Sequence, residues 1–227
     1  MYMADFLKAP LTALGVLATA VACGPSWEQP ADSPEPREDR VRAEYAVYSS
    51  VLDAFAGEGT AREDDISFGA DVDHLYRDQG FEAHIVTDST HGVLIWGLER
   101  EDLILTSMEE LSGLPDEVVA DYAAANEAGR VLSADAFTTR TSVMVLSRAE
   151  IRELTGGATR DGRAFRNPLP APGYVTFSRV GFAEDRGLAT LFVDFVCGGR
   201  CGAGQILVLE KRDERWHVRQ AKTIIRY

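Results

Sequence analysis

The chain has 227 residues, of which 45% are hydrophobic and 26% charged, a balance that fits one globular domain with appendages and excludes a disordered or collagen-like protein. Thirty-six acidic residues against 23 basic ones give a net charge of −13 and a pI near 4.7. A polyanion is on average repelled by such a surface, so nucleic acid is set aside as a partner.

Met1 to Lys8 is a short polar lead, and Ala9 to Ala22 follows as an uncharged run of 14 residues ending at Cys23. A membrane span needs roughly 20 apolar residues, so the run fits the hydrophobic stretch of an export signal covering residues 1–22. Ala20-Val21-Ala22-Cys23 resembles the lipobox of bacterial lipoproteins. The resemblance implies that the Cys23 thiol receives a diacylglycerol and becomes the new N-terminus. Alanine stands at position 20, where that pattern usually has leucine, and Ala20-x-Ala22 also suits ordinary signal peptidase. Lipidation and simple secretion therefore both stay open, and either leaves 205 residues at an unchanged net charge, since Asp5 and Lys8 cancel. Residues 23–37 carry four prolines and almost no apolar content, the composition of an extended tether. The expected address is a bacterial cell envelope: membrane contact through the N-terminal lipid, inner or outer membrane unspecified, and a domain in the periplasm or at the cell surface.

The domain, residues 38–227, opens with a helix. Val41, Tyr45, Tyr48, Leu52 and Phe55 recur at three- and four-residue steps and form one apolar stripe, and Gly57 and Gly59 end it. Thr60 to Gly80 is polar and acidic. Its Asp71-Val72-Asp73-His74 lacks the glycine that a calcium loop requires at its sixth position, where Tyr76 stands, and is read as a solvated loop. Residues 83–90 and 92–98 are strand candidates. His84, Asp88, Ser89 and His91 lie close in sequence, but a hydrolytic triad is defined by hydrogen-bond geometry rather than by nearness along one strand. No G-x-S-x-G elbow or H-E-x-x-H helix occurs.

Glu101 to Leu111 shows no decisive period. Pro115 then opens a helix running to about Asn126, with Val118, Val119 and Tyr122 inward, and Gly129 stops it. Thr141 to Leu146 reads as a strand, followed by a short helix that Ser147 and Glu150 begin with a capping box. Thr155 to Gly173 is a glycine-, proline- and arginine-rich loop without the lysine and spacing of a phosphate-cradling loop.

From Tyr174 to Arg226 four β-rich runs follow, separated by polar or glycine-rich breaks, and predict an antiparallel meander. In Leu188 to Val196 both alternate sets are largely apolar, so this strand is expected at the centre, covered on both faces. Asp194 interrupts it, either as a buried carboxylate of a site or as a strand-end residue bonding a loop. Arg179 is its nearest cationic candidate, although the register between the two runs is not legible. Cys197 and Cys201 flank the glycine-rich hairpin tip. In an oxidising compartment they are expected to pair. A C-x-x-x-C pair also serves redox exchange or copper binding, but there the cysteines precede a helix that lowers a thiol pKa, and here strands and glycines surround them.

Ser178-x-Val180-Gly181-Phe182, Cys197-Gly-x-x-Cys201-Gly-x-Gly204, Leu209-Glu-Lys211 and Trp216-x-Val218 are similar to the C-terminal half of a group of uncharacterised bacterial exported proteins. The likeness covers about 50 residues and implies no known activity. A helix followed by a curved sheet is also similar to cystatin-like and NTF2-like folds, by analogy alone. The expectation is an α+β domain: an antiparallel sheet packed against an N-terminal helix, with no cofactor and no metal. Its leading function is noncatalytic binding of an envelope protein or other envelope component. The alternatives are a hydrolase using Asp88 with His84 or His91, and a thiol-redox or copper protein using Cys197 and Cys201.

Overall fold

Helix α1 (Glu38–Phe55) starts the domain and carries the apolar stripe that its spacing predicts: Tyr45, Tyr48, Leu52 and Phe55 are buried, joined by Val47 and Val51. The computed structural model describes residues 38–56, 83–90, 100–155, 171, 173–198 and 201–226. After α1 come β1 (Ala83–Thr87), α2 (Arg100–Glu109), α3 (Asp116–Asn126), β2 (Ser142–Leu146), α4 (Arg148–Leu154), β3 (Tyr174–Phe177) and β4 (Gly181–Ala183). Three long strands close the chain: β5 (Leu188–Gly198), β6 (Cys201–Arg212) and β7 (Arg215–Arg226). The ambiguous stretch after Glu101 is thus mostly helix α2. The acidic stretch 60–80, the strand candidate at 92–98 and most of the loop 155–173 lie outside the described residues.

The protein is α+β. Its seven-stranded sheet has the order β2-β1-β3-β5-β6-β7, with β4 added to β5. The meander is antiparallel from β3 through β5 and β6 to β7. Upstream of it, β1 runs parallel to both β2 and β3, which makes the whole sheet mixed. Strand β5 is central and doubly covered, as its two apolar sets predict. Ala189, Leu191, Val193 and Phe195 pack with α1, while Phe192 joins Ile206 and Val208 of β6 against Ile104, Met108, Leu111 and Tyr122 of the α2–α3 pair. Helix α4 covers β1 on that second side through Ile151 and Ile85. It begins with the capping box at Ser147 and Glu150. Among the described residues no helix is long and apolar enough to cross a membrane.

One expected strand is broken. The run Tyr174 to Phe182 pairs with β5 at both ends, and Ser178 still bonds Phe192 through its N–H and its hydroxyl, but Arg179-Val180 leaves the ladder between β3 and β4. Asn126 explains the break. Its side chain accepts the Arg179 N–H at 2.8 Å and donates to the Arg179 carbonyl at 3.2 Å, replacing the ladder bonds that the excursion forfeits. Beside it, Gly181 lies so close to α3 that a Cβ would stand 2.5 Å from the Val118 carbonyl oxygen and 2.6 Å from Tyr122 Cβ, so only glycine fits that crossing.

Candidate functional site

The excursion at Arg179 sends its guanidinium to Glu44, a carboxylate on the buried face of α1 with 0% exposure. Arg179 Nε donates to both oxygens at 3.0 and 3.2 Å, and its Nη2 lies 2.9 Å from Oε1. Arg130 Nη1 donates to the other oxygen at 2.7 Å. One turn earlier, Arg40 stands 3.6 Å from Glu44 and makes a two-pronged contact with Asp121 of α3 at 2.9 and 2.8 Å. Asp121 also accepts the Phe182 N–H at 2.8 Å. Three arginines and two carboxylates therefore rivet α1 to α3, to the β3–β4 excursion and to the stretch after Gly129. Desolvating such charges is costly, and their pairing offsets most of that cost, although Arg130 Nη2 is buried without a hydrogen-bond partner among the described residues. Tyr48 adds a bond to the Ser178 carbonyl at 3.0 Å, and burial next to Glu44 pushes its phenol well above the usual range.

From Arg130 to Arg140 the chain runs alongside α1 in the same direction, held by side chains of the helix. After Arg130 meets Glu44, the Ser133 N–H donates to Tyr45 Oη at 2.8 Å. Then the Thr138 N–H donates to Ser49 Oγ at 2.9 Å, and the Arg140 N–H to Asp53 Oδ1 at 3.1 Å. Acceptors at 44, 45, 49 and 53 lie along one flank of the helix, since residues three to four apart share a face. They supply partners that this irregular segment lacks in any ladder. Phe137 meets the Tyr45 ring edge-on at 5.0 Å. On its other side, the segment is tied to the end of β1: the Thr90 N–H donates to the Arg130 carbonyl, the Arg130 N–H donates to the Thr90 hydroxyl oxygen, and the Leu132 N–H reaches the Asp88 carbonyl.

This strap, α1 and the β6–β7 hairpin enclose a groove of about 920 Å³. Glu38, Val41, Arg42, Tyr45, Ala46, Ser49, Ser50 and Asp53 line the helix side. Ala136, Thr138 and Arg140 line the strap, and Glu214, Arg215, Trp216 and His217 the hairpin. The hairpin turn holds Asp213 and Glu214 both at positive φ, 48° and 63°, the two-residue turn whose twist matches its strands. Trp216 packs against Phe182 at 5.8 Å, and the Arg40 guanidinium lies over the other aromatic of that pair, 5.6 Å from the Phe182 centroid. Arg40 and Phe182 thus stand between the buried charge network and the groove-lining Trp216. Groove volumes of this order are those of ligand sites.

The residues singled out from sequence go elsewhere. His84 lies within β1 and Asp88 just past its end, four residues apart, about 13 Å at the rise of a strand. His84 is 2% exposed, and its imidazole is lowered to about 4, burial outweighing the nearby charge of Asp53. Asp88 accepts the Ser89 hydroxyl at 3.2 Å, the bond of a strand-end turn. His91 lies outside the described residues. Asp194 is buried, opposite Thr176 and Gly204 on the α2–α3 side of the sheet. It raises the half-buried Tyr174 phenol, after burial itself. The suggested Arg179–Asp194 pairing is not made: Arg179 turns out of the ladder to Glu44. Cys197 is buried at the end of β5, and the hairpin closes across Gly198 and Cys201 after a register shift. The Cys201 side chain and Cys23 lie outside what is described. Among the described residues no three His, Cys, Asp or Glu side chains converge as metal ligands.

Sequence reasoning missed Glu44, Arg130, Asp121 and the whole strap. The signal available was a glutamate on the apolar side of α1's stripe, which a helix tolerates only when the charge is met. The chain matches no family model, no curated protein and no solved structure.

Proposed function

We propose that this is an exported, lipid-anchored envelope protein whose domain binds another envelope component through the α1–strap–hairpin groove and performs no chemistry. The groove carries this reading: its walls are held by fixed bonds, and His84 and Asp88, the described members of the suggested hydrolytic set, are separated along β1. The signal-like residues 1–22, Cys23 as the lipid site and the proline-rich stretch 23–37 support the address. Two or three acyl chains give stable anchoring where one is marginal. The likeness of the C-terminal half to uncharacterised exported proteins supports it as well. We further propose that Cys197 and Cys201 form a disulfide across the β5–β6 hairpin. Closing so small a ring constrains the unfolded chain by roughly 2 kcal/mol on the entropic model.

The test uses full-length protein in bacterial cells, with a photo-cross-linking amino acid replacing Trp216. The expected result is a discrete adduct that disappears when Ala46→Trp fills the groove. Absence of any adduct, or adducts indifferent to Ala46→Trp, overturns the binding role. The anchor is tested separately: radiolabelled palmitate is incorporated by the parent chain and lost in Cys23→Ser.

A further inference from the structure

The buried charge network does not close on itself. Its innermost members are Glu44, Arg130 and Arg179, whose side chains are 0%, 12% and 10% exposed. Two guanidiniums against one carboxylate leave this set with one positive charge in excess, inside a protein whose net charge is −13. The outer pair, Arg40 and Asp121, cancels itself and is more exposed. Donors are in excess as well. Both Glu44 oxygens are taken, Oε1 by Arg179 and Oε2 by Arg130 and Arg179, while Arg130 Nη2 is buried with no hydrogen-bond partner among the described residues. Arg179 Nη1 reaches the Ala125 carbonyl at a long 3.4 Å. An unmet donor on a buried charge costs free energy that a ligand would recover.

Water is a poor candidate for that ligand. A buried water needs roughly two to four polar partners, some of them acceptors for its own hydrogens, and the acceptors around Arg130 are already engaged. The guanidiniums hold the Glu44 oxygens, the Arg130 N–H holds the Thr90 hydroxyl oxygen, and the Thr90 N–H holds the Arg130 carbonyl. An anion asks for donors alone and brings the charge that the set lacks. We infer that Arg130 Nη2 binds a small monovalent anion of the halide class beside the Glu44–Arg179 pair. One negative charge neutralises the set, and small size suits a guanidinium that is nearly enclosed. Glu127 to Gly129, just before Arg130, are exposed, which leaves the site close to solvent. Arg130 does not line the groove, so this inference stands or falls apart from the binding reading.

The experiment follows urea unfolding of the full chain, held in a nonionic detergent, in sodium chloride and in sodium gluconate. Both salts are used at the same ionic strength, about 0.15 M, so that screening is equal. Chloride is expected to raise the folding equilibrium constant about tenfold over gluconate, the ratio for a dissociation constant of about 15 mM. Arg130→Met leaves Glu44 paired with Arg179 and the set neutral, and should lose that response. Arg130→Lys keeps a charge opposite Glu44 but has no Nη2; it should lose most of the response and serves if the methionine variant does not fold. Arg226→Gln, exposed at the end of β7, should retain it. Crystals grown in bromide should show an anomalous peak within hydrogen-bond reach of Arg130 Nη2. Equal stability of the parent chain in the two salts overturns the inference, as does a chloride response that survives the Arg130 variants. A bromide peak without any chloride response marks an adventitious ion only and overturns it too. So does a chloride response in a chain whose crystals show water, not bromide, at Nη2.

Discussion

The two faces of α1's surroundings are held by opposite physics. Towards the C-terminal sheet, the helix buries Tyr48, Leu52 and Phe55 against β3, β5 and β6, contacts that are apolar, non-directional and tolerant in detail. Towards the strap, it is held by Glu44, Tyr45, Ser49 and Asp53 accepting from donors 86 to 89 residues away, and towards α3 by Arg40 donating to Asp121, 81 residues away. The first arrangement supplies stability. The second adds little net free energy, because desolvation offsets attraction, but it fixes where the strap lies and hence the shape of the groove. A binding surface on this protein therefore depends on the polar side, while survival of the fold depends on the apolar one.

That contrast breaks cleanly under substitution. Phe195→Ala removes a fully buried ring from the doubly covered strand and should cost about 4 kcal/mol in chemical denaturation. Glu44→Ala should cost nearly as much, about 3 kcal/mol, by leaving buried guanidiniums without their carboxylate. The two differ in rescue. Replacing Glu44, Arg130 and Arg179 together by Leu, Met and Met should recover most of the stability lost in Glu44→Ala, while the strap loses its first anchor and the groove its binding. If the triple variant stays as unstable as Glu44→Ala, the network is contributing stability directly and the contrast fails.

A pH titration separates the two sides further. His84 belongs to the apolar side, and burial lowers its imidazole to about 4 from an ordinary 6.5. A depressed folded-state value means the unfolded chain binds the proton first. Stability attributable to keeping His84 neutral is thus complete above about pH 6.5 and is lost as pH falls towards 4, roughly 3 kcal/mol in all. The slope of unfolding free energy across that window should flatten in His84→Leu. An identical slope in the variant would assign the acid sensitivity to other groups.

The apolar side was also the legible one. The stripe of α1, the capping box at Ser147, and the alternating sets of β5 are local patterns with short periods, so composition within a dozen residues suffices to find them. Nothing local announces that Asn126 will capture Arg179, that Arg179 will leave its strand, or that Ser133, Thr138 and Arg140 will find acceptors on α1. Those contacts join residues 53 to 135 positions apart. The wrong partner for Arg179 came from the same source: Asp194 is near in the chain, whereas Glu44 is near only in the folded molecule. The parallel pairing of β1 with β2 and β3 escaped for a related reason, since strand direction across long connections leaves no periodicity to read.

Smaller effects test the strap and the hairpin that wall the groove. Tyr45→Phe leaves the Ser133 N–H without its acceptor and should cost about 1 kcal/mol, with a larger fractional loss of groove binding than of stability. At the hairpin, Asp213 and Glu214 both sit in the left-handed region, which strains any residue with a Cβ and favours Asn-Gly in such a turn. Glu214→Gly relieves that strain at the second position while giving up an exposed contact to Lys211, of little worth to stability. Because the relief exceeds the loss, the thermal midpoint should rise by about 3 °C.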